Sequence, residues 1–362
     1  MVSEPPVKVG VIGCGIGSFH LEGYAEDPRA TVVALAGLDD RCATLAAKFG
    51  VPKVYRDYTE LLADPEVQAV SLAVPNFLHR EVTIAALNAG KDVLVEKPLA
   101  RTTAEGRAMV DAARAAGRIL MIAFNRRGRH DVRIMKHEAE RGRFGYIYHA
   151  KAFWMRQSGI PGLGSWFTNK EQSGGGPLID LGVHVLDMAL WVMGNPKPVS
   201  VSAATYAELG PKGKGQYHGS RFTVIEGAPY EVEDFATALI RFENGATLHL
   251  DASWAGYTGH TDEFGVSVMG DLGGGAIHVK DYAQVDTLRL FGEVDGMPSV
   301  TMPRLVPQHG HGWVIKRFVD AILTGTEASP NAAEGLERVR LIDAIYRSAS
   351  LGREIRIDDA TA

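Results

Sequence analysis

Cysteine is nearly absent from the chain, which has only Cys14 and Cys42. Two cysteines cannot build a disulfide framework, and they fit a reducing cytoplasm. Basic runs are also missing: Lys plus Arg number 38 against 43 Asp plus Glu, a net charge of -5. A nucleic-acid backbone is therefore not the expected partner. The opening Met1-Val2-Ser3-Glu4-Pro5-Pro6 lacks the basic region of a signal peptide. The apolar run from Val7 to Ile12 is far too short to span a bilayer. Membrane, secreted and DNA-binding readings are weak, which leaves a cytoplasmic enzyme or binding protein. Apolar residues at 46% and charged residues at 22% are ordinary for a globular protein. A length of 362 residues suits two domains.

The first third alternates short β-branched runs with helical stretches. Val7 to Ile12, Thr31 to Leu35, Ala69 to Val74, Asp92 to Val95 and Ile119 to Ala123 read as strands. Between them, His20 to Glu26, Asp40 to Phe49, Tyr58 to Leu62, His79 to Ala89 and Thr103 to Ala116 read as helices, with Gly50, Gly90 and Gly117 at their C-terminal ends. Continuous apolar strands separated by helices predict a doubly wound parallel sheet over residues 1–124. Residues 125–362 change rhythm. Two helices, Asp131 to Arg141 and the strongly apolar Leu178 to Met193, accompany strand after strand, and Glu243-Asn244-Gly245 marks a hairpin. That pattern predicts an α+β domain with a mainly antiparallel sheet. Two late helices close the chain, and one of them can pack back on the first domain. The Gly- and Lys-rich stretch from Gly210 to Gly227 reads as a mobile loop or lid.

Gly13-Cys14-Gly15-Ile16-Gly17-Ser18 lies between the first strand and the first helix. There small residues let the backbone of Gly13, Gly15, Ile16 and Gly17 approach a pyrophosphate, and the helix start offers N–H groups to it. The third glycine of the usual pattern falls at Ser18, so either Ser18 replaces it or a shorter loop gives Gly17 that role. The cofactor is NAD or NADP. No acid stands at Ala36 or Gly37 to take a ribose 2′-hydroxyl. Arg41 suits a 2′-phosphate and tips the reading toward NADP, while Asp39 reaches a ribose if the loop curls back. The plain alternative for Asp39 and Asp40 is helix capping.

Glu96-Lys97-Pro98 ends the Asp92 to Val95 strand, on the side where open α/β sheets bind ligands. An ammonium at Lys97 can polarise a substrate hydroxyl. At 100° per residue, Asp180, His184 and Asp187 fall on one stripe of an otherwise apolar helix. A His beside a carboxylate suits general acid/base work. Three other readings stay open: a core histidine, a subunit interface, or a metal pair extended by His309 and His311. No third ligand is near in sequence, so no metal is expected.

Together these elements resemble the glucose-fructose oxidoreductase / inositol dehydrogenase (Gfo/Idh/MocA) family. The motifs that carry the resemblance are Val11-Ile12-Gly13-Cys14-Gly15, Pro75-Asn76-Phe77-Leu78-His79, the run from Ala89 to Leu99, Phe124-Asn125-Arg126-Arg127, and Gly174-Gly175-Gly176 through His184. The resemblance implies a Rossmann domain followed by a domain whose large open sheet joins a homodimer or homotetramer. It implies nicotinamide-dependent chemistry on a sugar, polyol or inositol-like compound. By the same likeness Lys97 polarises the reacting oxygen, Asp180 and His184 position substrate, and His184 takes the proton. Asn76 and His79 lie along the cofactor, Glu96 lies near the nicotinamide ribose, and Asn125 and Arg126 border the substrate. Arg156 and Trp166 suit sugar hydroxyls and a sugar face, with a structural role for Trp166 as the alternative. The family also contains NAD-dependent glycosidases and non-catalytic sensors, and these remain the rival readings.

Overall fold

The computed structural model describes residues 5–216, 227–308 and 310–357. In chain order the first elements are β1 Val7–Ile12, α1 Gly17–Ala25, β2 Ala30–Ala36, α2 Arg41–Phe49, β3 Lys53–Tyr55, α3 Tyr58–Ala63, β4 Ala69–Leu72, α4 Asn76–Asn88, β5 Asp92–Val95, α5 Thr103–Ala116 and β6 Leu120–Ile122. Then follow α6 His130–Glu140, β7 Ile147–Arg156, α7 Lys170–Ser173, a π-turn Leu178–Gly182 leading into α8 Val183–Val192, and β8 Pro198–Tyr206. The remaining strands are β9 Phe235–Phe242, β10 Thr247–Ser253, β11 Asp262–Gly270, β12 Gly274–Lys280, β13 Leu288–Val294, β14 Met297–Thr301 and β15 Ile355–Arg356, with the helices α9 Gly310–Thr324 and α10 Ala332–Leu351 before the last.

The chain divides into two compact units. The first comprises residues 1–128 and 309–339. Its six strands run parallel in the order β3-β2-β1-β4-β5-β6. Helices cover both faces of a sheet with this order, so β1, β4 and β5 are almost wholly buried and are built mostly of Val, Ile, Leu and Ala. The order reverses between β1 and β4, and ligands bind beyond the strand ends at that crevice. Asp57 and Thr102 accept from the Thr59 and Glu105 N–H groups to start α3 and α5, and left-handed Gly50 and Gly117 stop α2 and α5. β3 is absent from the sequence reading. It has three half-exposed or exposed residues and no apolar run to announce it. α9 packs on α1 and adds Val314, Ile315, Phe318 and Val319 to the cluster built on Val9, Val11 and Leu35.

The second unit comprises residues 129–308 and 340–362. Among the described residues, nine strands form one sheet in the order β14-β13-β12-β11-β7-β10-β9-β8-β15. Every pairing is antiparallel except β7 with β10. The Glu243-Asn244-Gly245 turn joins β9 to β10 as the spacing predicts. In β9 and β10 buried and half-buried residues alternate, the mark of a sheet covered on one face. α8 packs against β7 and β11. By composition the run Lys170–Val192 is long and apolar enough to cross a membrane, but 89% of its most apolar window is buried within the protein. Much of the expected Gly210–Gly227 lid lies outside the described residues. The part that is described is anchored: Leu209 and Gly210 donate to Asp234, and Gly159 and Ile160 donate to the Gly215 carbonyl.

Candidate functional site

In the first unit the glycine loop stands at the β1–β4 crevice. Gly13 has φ +99°, and a β-carbon there would collide with the Ala73 carbonyl at the end of β4. Gly15 faces open space, with no atom of the described residues within 4 Å of where its β-carbon would be. Ile16, which precedes the helix, is exposed. α1 begins at Gly17, whose β-carbon would stand 3.1 Å from Val11 Cγ1. Gly17 therefore lets helix and strand pack closely, so the loop is the shorter form, and the Ser18 hydroxyl turns back to the Gly15 carbonyl at 2.9 Å. The first turn of α1 carries no acidic residue, which suits the approach of a phosphate to the helix start.

The two cysteines, too few for a disulfide framework and expected in a reducing environment, are nevertheless bonded to each other. Cys14 in the glycine loop and Cys42 in α2 form a disulfide across 28 residues of sequence, with Cα atoms 5.4 Å apart. Because β1 and β2 are neighbours, the segments following them lie side by side, within the reach of a disulfide. At the end of β2, Arg41 Nε donates to Asp39 Oδ2 at 2.6 Å, and the Arg41 N–H donates to Asp39 Oδ1 at 2.8 Å. Both side chains are exposed. Asp40 takes the N-cap position without a side-chain capping bond, so the capping role belongs to the Asp39 carboxylate.

Lys97 follows β5, half-buried, with a cis peptide bond to Pro98. Its neighbour Glu96 is buried inside a cluster of side chains. His20 Nε2 donates to Glu96 Oε1 at 2.9 Å, His311 Nε2 lies 3.6 Å from the same oxygen, and the Lys97 N–H donates to Oε2 at 3.2 Å. Burial alone would raise the Glu96 carboxyl, but the two histidines hold it well below the ordinary carboxylate range. Asn125 Nδ2 lies 3.0 Å from His311 Nε2, and Arg126 follows in the same short helical turn. Asn76 opens α4. His79 is 1% exposed, with Nδ1 2.8 Å from the Pro98 carbonyl and Nε2 3.0 Å from the Val74 carbonyl. It acts as a strut between the Lys97–Pro98 turn and the end of β4. The metal alternative in the sequence draws on His309 and His311 to extend the Asp180–His184 pair. The fold instead sets His311 with His20 and Glu96, and His309 lies outside the described residues.

In the second unit Asp180 stands on the π-turn and His184 at the start of α8, so the even 100° stripe of the sequence reading does not hold there. The local unwinding is of a kind common at functional sites. Trp254 Nε1 donates to Asp180 Oδ2 at 3.0 Å. The Trp154 ring lies 5.6 Å from that of His184, and its Nε1 donates to Asp262 at 2.8 Å. Asp262 also accepts from Arg156 Nε at 2.7 Å, and Arg156 donates to the Tyr282 hydroxyl at 2.7 Å. Asp187, third on the expected stripe, is 1% exposed. Trp166 is half-buried and stacks on Phe167 at 3.8 Å.

Glu233 underpins this arrangement. Its carboxylate accepts from the Gly176 and Leu178 N–H groups, each at 3.1 Å, and from the Tyr346 hydroxyl at 2.8 Å. Burial pushes this carboxyl above its ordinary range, and the three donors offset only part of that. Sequence reading missed Trp254, Asp262, Tyr282 and Glu233. Trp254 reads there only as the apolar end of a strand, and an isolated acid such as Asp262 carries no spacing signal.

Residues 7–124 match a family described as "Oxidoreductase family, NAD-binding Rossmann fold", and residues 132–274 match the "GFO/IDH/MocA C-terminal domain". D-glucoside 3-dehydrogenase of Escherichia coli is 31% identical over 98% of this chain and 99% of its own. Levoglucosan dehydrogenase of Pseudarthrobacter phenanthrenivorans is 30% identical over 95% of this chain and 96% of its own. A solved levoglucosan dehydrogenase, in complex with NADH and L-sorbose, superposes with a TM-score of 0.85 at 27% identity, covering 98% of this chain and 99% of that one. With both halves matched in order and relatives aligned from end to end, the chain belongs to the Gfo/Idh/MocA family and is an NAD(P)-dependent oxidoreductase acting on CH–OH groups.

Proposed function

We propose that the substrate is a sugar, polyol or inositol whose ring hydroxyl is interconverted with a carbonyl. The observation that carries this reading is Asp180, set on an unwound turn and oriented by the Trp254 indole, with His184 one turn on. Relatives named as glucoside and levoglucosan dehydrogenases support the substrate class. They lend nothing to the glycosidase or sensor alternatives.

The nicotinamide dinucleotide supplies a hydride acceptor or donor when bound. The glycine loop fits it: Gly13 is in the left-handed turn, Gly15 is uncovered, and the start of α1 carries no acid. Gly13, Gly15, Ile16 and Gly17 would hold the pyrophosphate by their backbone, with Asn76 at the start of α4 along its path. Arg41 favours NADP(H), although its present partner Asp39 would repel a 2′-phosphate and must be displaced for that contact. In the proposed chemistry Lys97 donates to the reacting oxygen and stabilises it as an alkoxide. His184 takes the hydroxyl proton during oxidation and returns it during reduction. Asp180 and Arg156 fix the neighbouring hydroxyls, with Asn125, Arg126 and Trp166 bordering the sugar.

The test is a panel of sugars, inositols and sugar phosphates with NAD and NADP, followed at the reduced-nicotinamide absorbance. Lys97→Ala should abolish turnover while cofactor binding survives, and normal turnover in that variant would remove Lys97 from the mechanism. We also propose a cytoplasmic homodimer or homotetramer joined through the half-covered face of the nine-stranded sheet. Cell fractionation and light scattering check both parts, and a monomer at working concentration would sink the second.

A further inference from the structure

We propose that Cys14 and Cys42 are a reversible thiol–disulfide modification site that tunes dinucleotide affinity. This inference rests on the reading of the glycine loop as the pyrophosphate site. Cys14 lies between Gly13, held at φ +99°, and Gly15, whose side faces open space. The bond therefore fastens the middle of the loop to the first turn of α2. The fold makes room for it at Gly37, where a β-carbon would stand 2.7 Å from Cys42 Sγ and 3.3 Å from Cys14 Sγ. Gly37 is also where the dinucleotide pattern usually sets an acid for the adenosine ribose. In this chain that place is given over to the two sulfurs. Three glycines would leave the loop conformationally free, and the cystine removes much of that freedom before the cofactor arrives. The oxidised form is thus pre-ordered for binding, and reduction releases the loop.

The chemistry balances with a dithiol reductant and a hydroperoxide oxidant. In reduction, a thiolate of the dithiol attacks Cys14 Sγ, because Cys14 is the less deeply buried residue of the pair, at 8% exposed against 1% for Cys42. The Sγ–Sγ bond breaks, and Cys42 leaves as a thiolate and takes a proton. The reductant's second sulfur then attacks the mixed disulfide, so the reductant ends as a disulfide and Cys14 as a thiol. In oxidation, the Cys14 thiolate attacks the peroxide oxygen, releases water or alcohol and becomes a sulfenic acid. The Cys42 thiolate then displaces water from it to restore the bond. Binding linkage makes the effect reciprocal: whatever factor the cystine adds to cofactor affinity, the cofactor adds to the cystine's resistance to reduction.

The experiment uses the full chain. NADH and NADPH are titrated by nicotinamide fluorescence into protein held oxidised or held in excess dithiothreitol, with free thiols counted by alkylation and intact mass. The oxidised form should bind about tenfold more tightly, and saturating cofactor should lower the cystine's potential by about 30 mV, the two-electron equivalent of a tenfold change. Cys42→Ser should bind as the reduced form does and lose all response to redox state. Should that variant fold poorly, the potential shift of the wild-type protein still decides the matter. Gly15→Phe should block cofactor in both redox states. Normal binding by Gly15→Phe would overturn the loop reading itself. Blocked binding there, with equal affinity in the two redox states of the wild type, would overturn only this inference. So would two alkylatable thiols in protein purified without reductant.

Discussion

Trp254 is wholly buried at the end of β10, and it spends its one polar atom on the Asp180 carboxylate. A single N–H bond to a charged acceptor is worth about 1.5–3 kcal/mol. On the proposed role of Asp180, Trp254→Phe keeps most of the ring packing but leaves the carboxylate to turn. We expect kcat/KM for the sugar to fall roughly 10- to 100-fold, while the affinity for the nicotinamide cofactor is unchanged. Steady-state kinetics beside a cofactor titration check this, and a parallel loss of both would reduce Trp254 to a packing residue. At this scale the sequence was uneven as a guide. Lys97, Asp180 and His184 stand in motifs with fixed spacing and could be picked out. Trp254 and Asp262 could not, because what they touch is 74 and 108 residues away along the chain. The cystine was hidden for the same reason. Its partners become neighbours only once β1 and β2 pair in parallel.

Among the elements, the segment entering α8 carries the most consequence. Periodicity announces an apolar helix from Leu178 onward, but it cannot show that the first turn winds as a π-turn, since composition does not separate the two. The tie that holds this turn is Glu233 with Tyr346 and the Gly176 and Leu178 N–H groups. Because burial raises the Glu233 carboxyl in the folded protein, the favourable contribution of its protonated form is fully present below the unfolded value near pH 4.5. It is lost as pH rises through the folded value, so at neutral pH the charged form depends on its three donors. Tyr346→Phe removes one of them. We expect a loss of about 1–2 kcal/mol near neutral pH, seen as a drop of roughly 2–5 °C in the unfolding midpoint, and a smaller loss in mild acid. Thermal melts of both proteins across that range decide it. A gap that stays constant with pH would show that the carboxyl does not titrate there.

For the molecule as a whole, both layer types were legible, because continuous apolar strands and alternating ones carry different periods. For the late helices the sequence allows one to pack back on the first domain without saying which. α9 reads as an amphipathic helix at the end of the second half, and periodicity does not say which core its apolar face completes. It belongs to the first unit, where Val314, Ile315, Phe318 and Val319 are each at most 1% exposed against β1 and α1. Arg127, fully buried, draws its 2.9 Å ion pair from Glu334 in the same returning segment. Burying four such side chains contributes about 6–12 kcal/mol at 1.5–3 kcal/mol each, as much as the whole stability of an ordinary domain. A fragment of residues 1–128, though it contains every strand of the parallel sheet and the whole glycine loop, therefore lacks the energy to fold. We expect it to melt without a cooperative transition and to bind no dinucleotide. Supplying residues 309–339 through a short linker should restore both properties, because that segment returns the four apolar side chains and the carboxylate that pairs with Arg127. Calorimetry and a cofactor titration on the two fragments compare them directly. A sharply melting, cofactor-binding 1–128 fragment would mean that the parallel sheet and its own helices suffice, and that α9 is a passenger on a finished core.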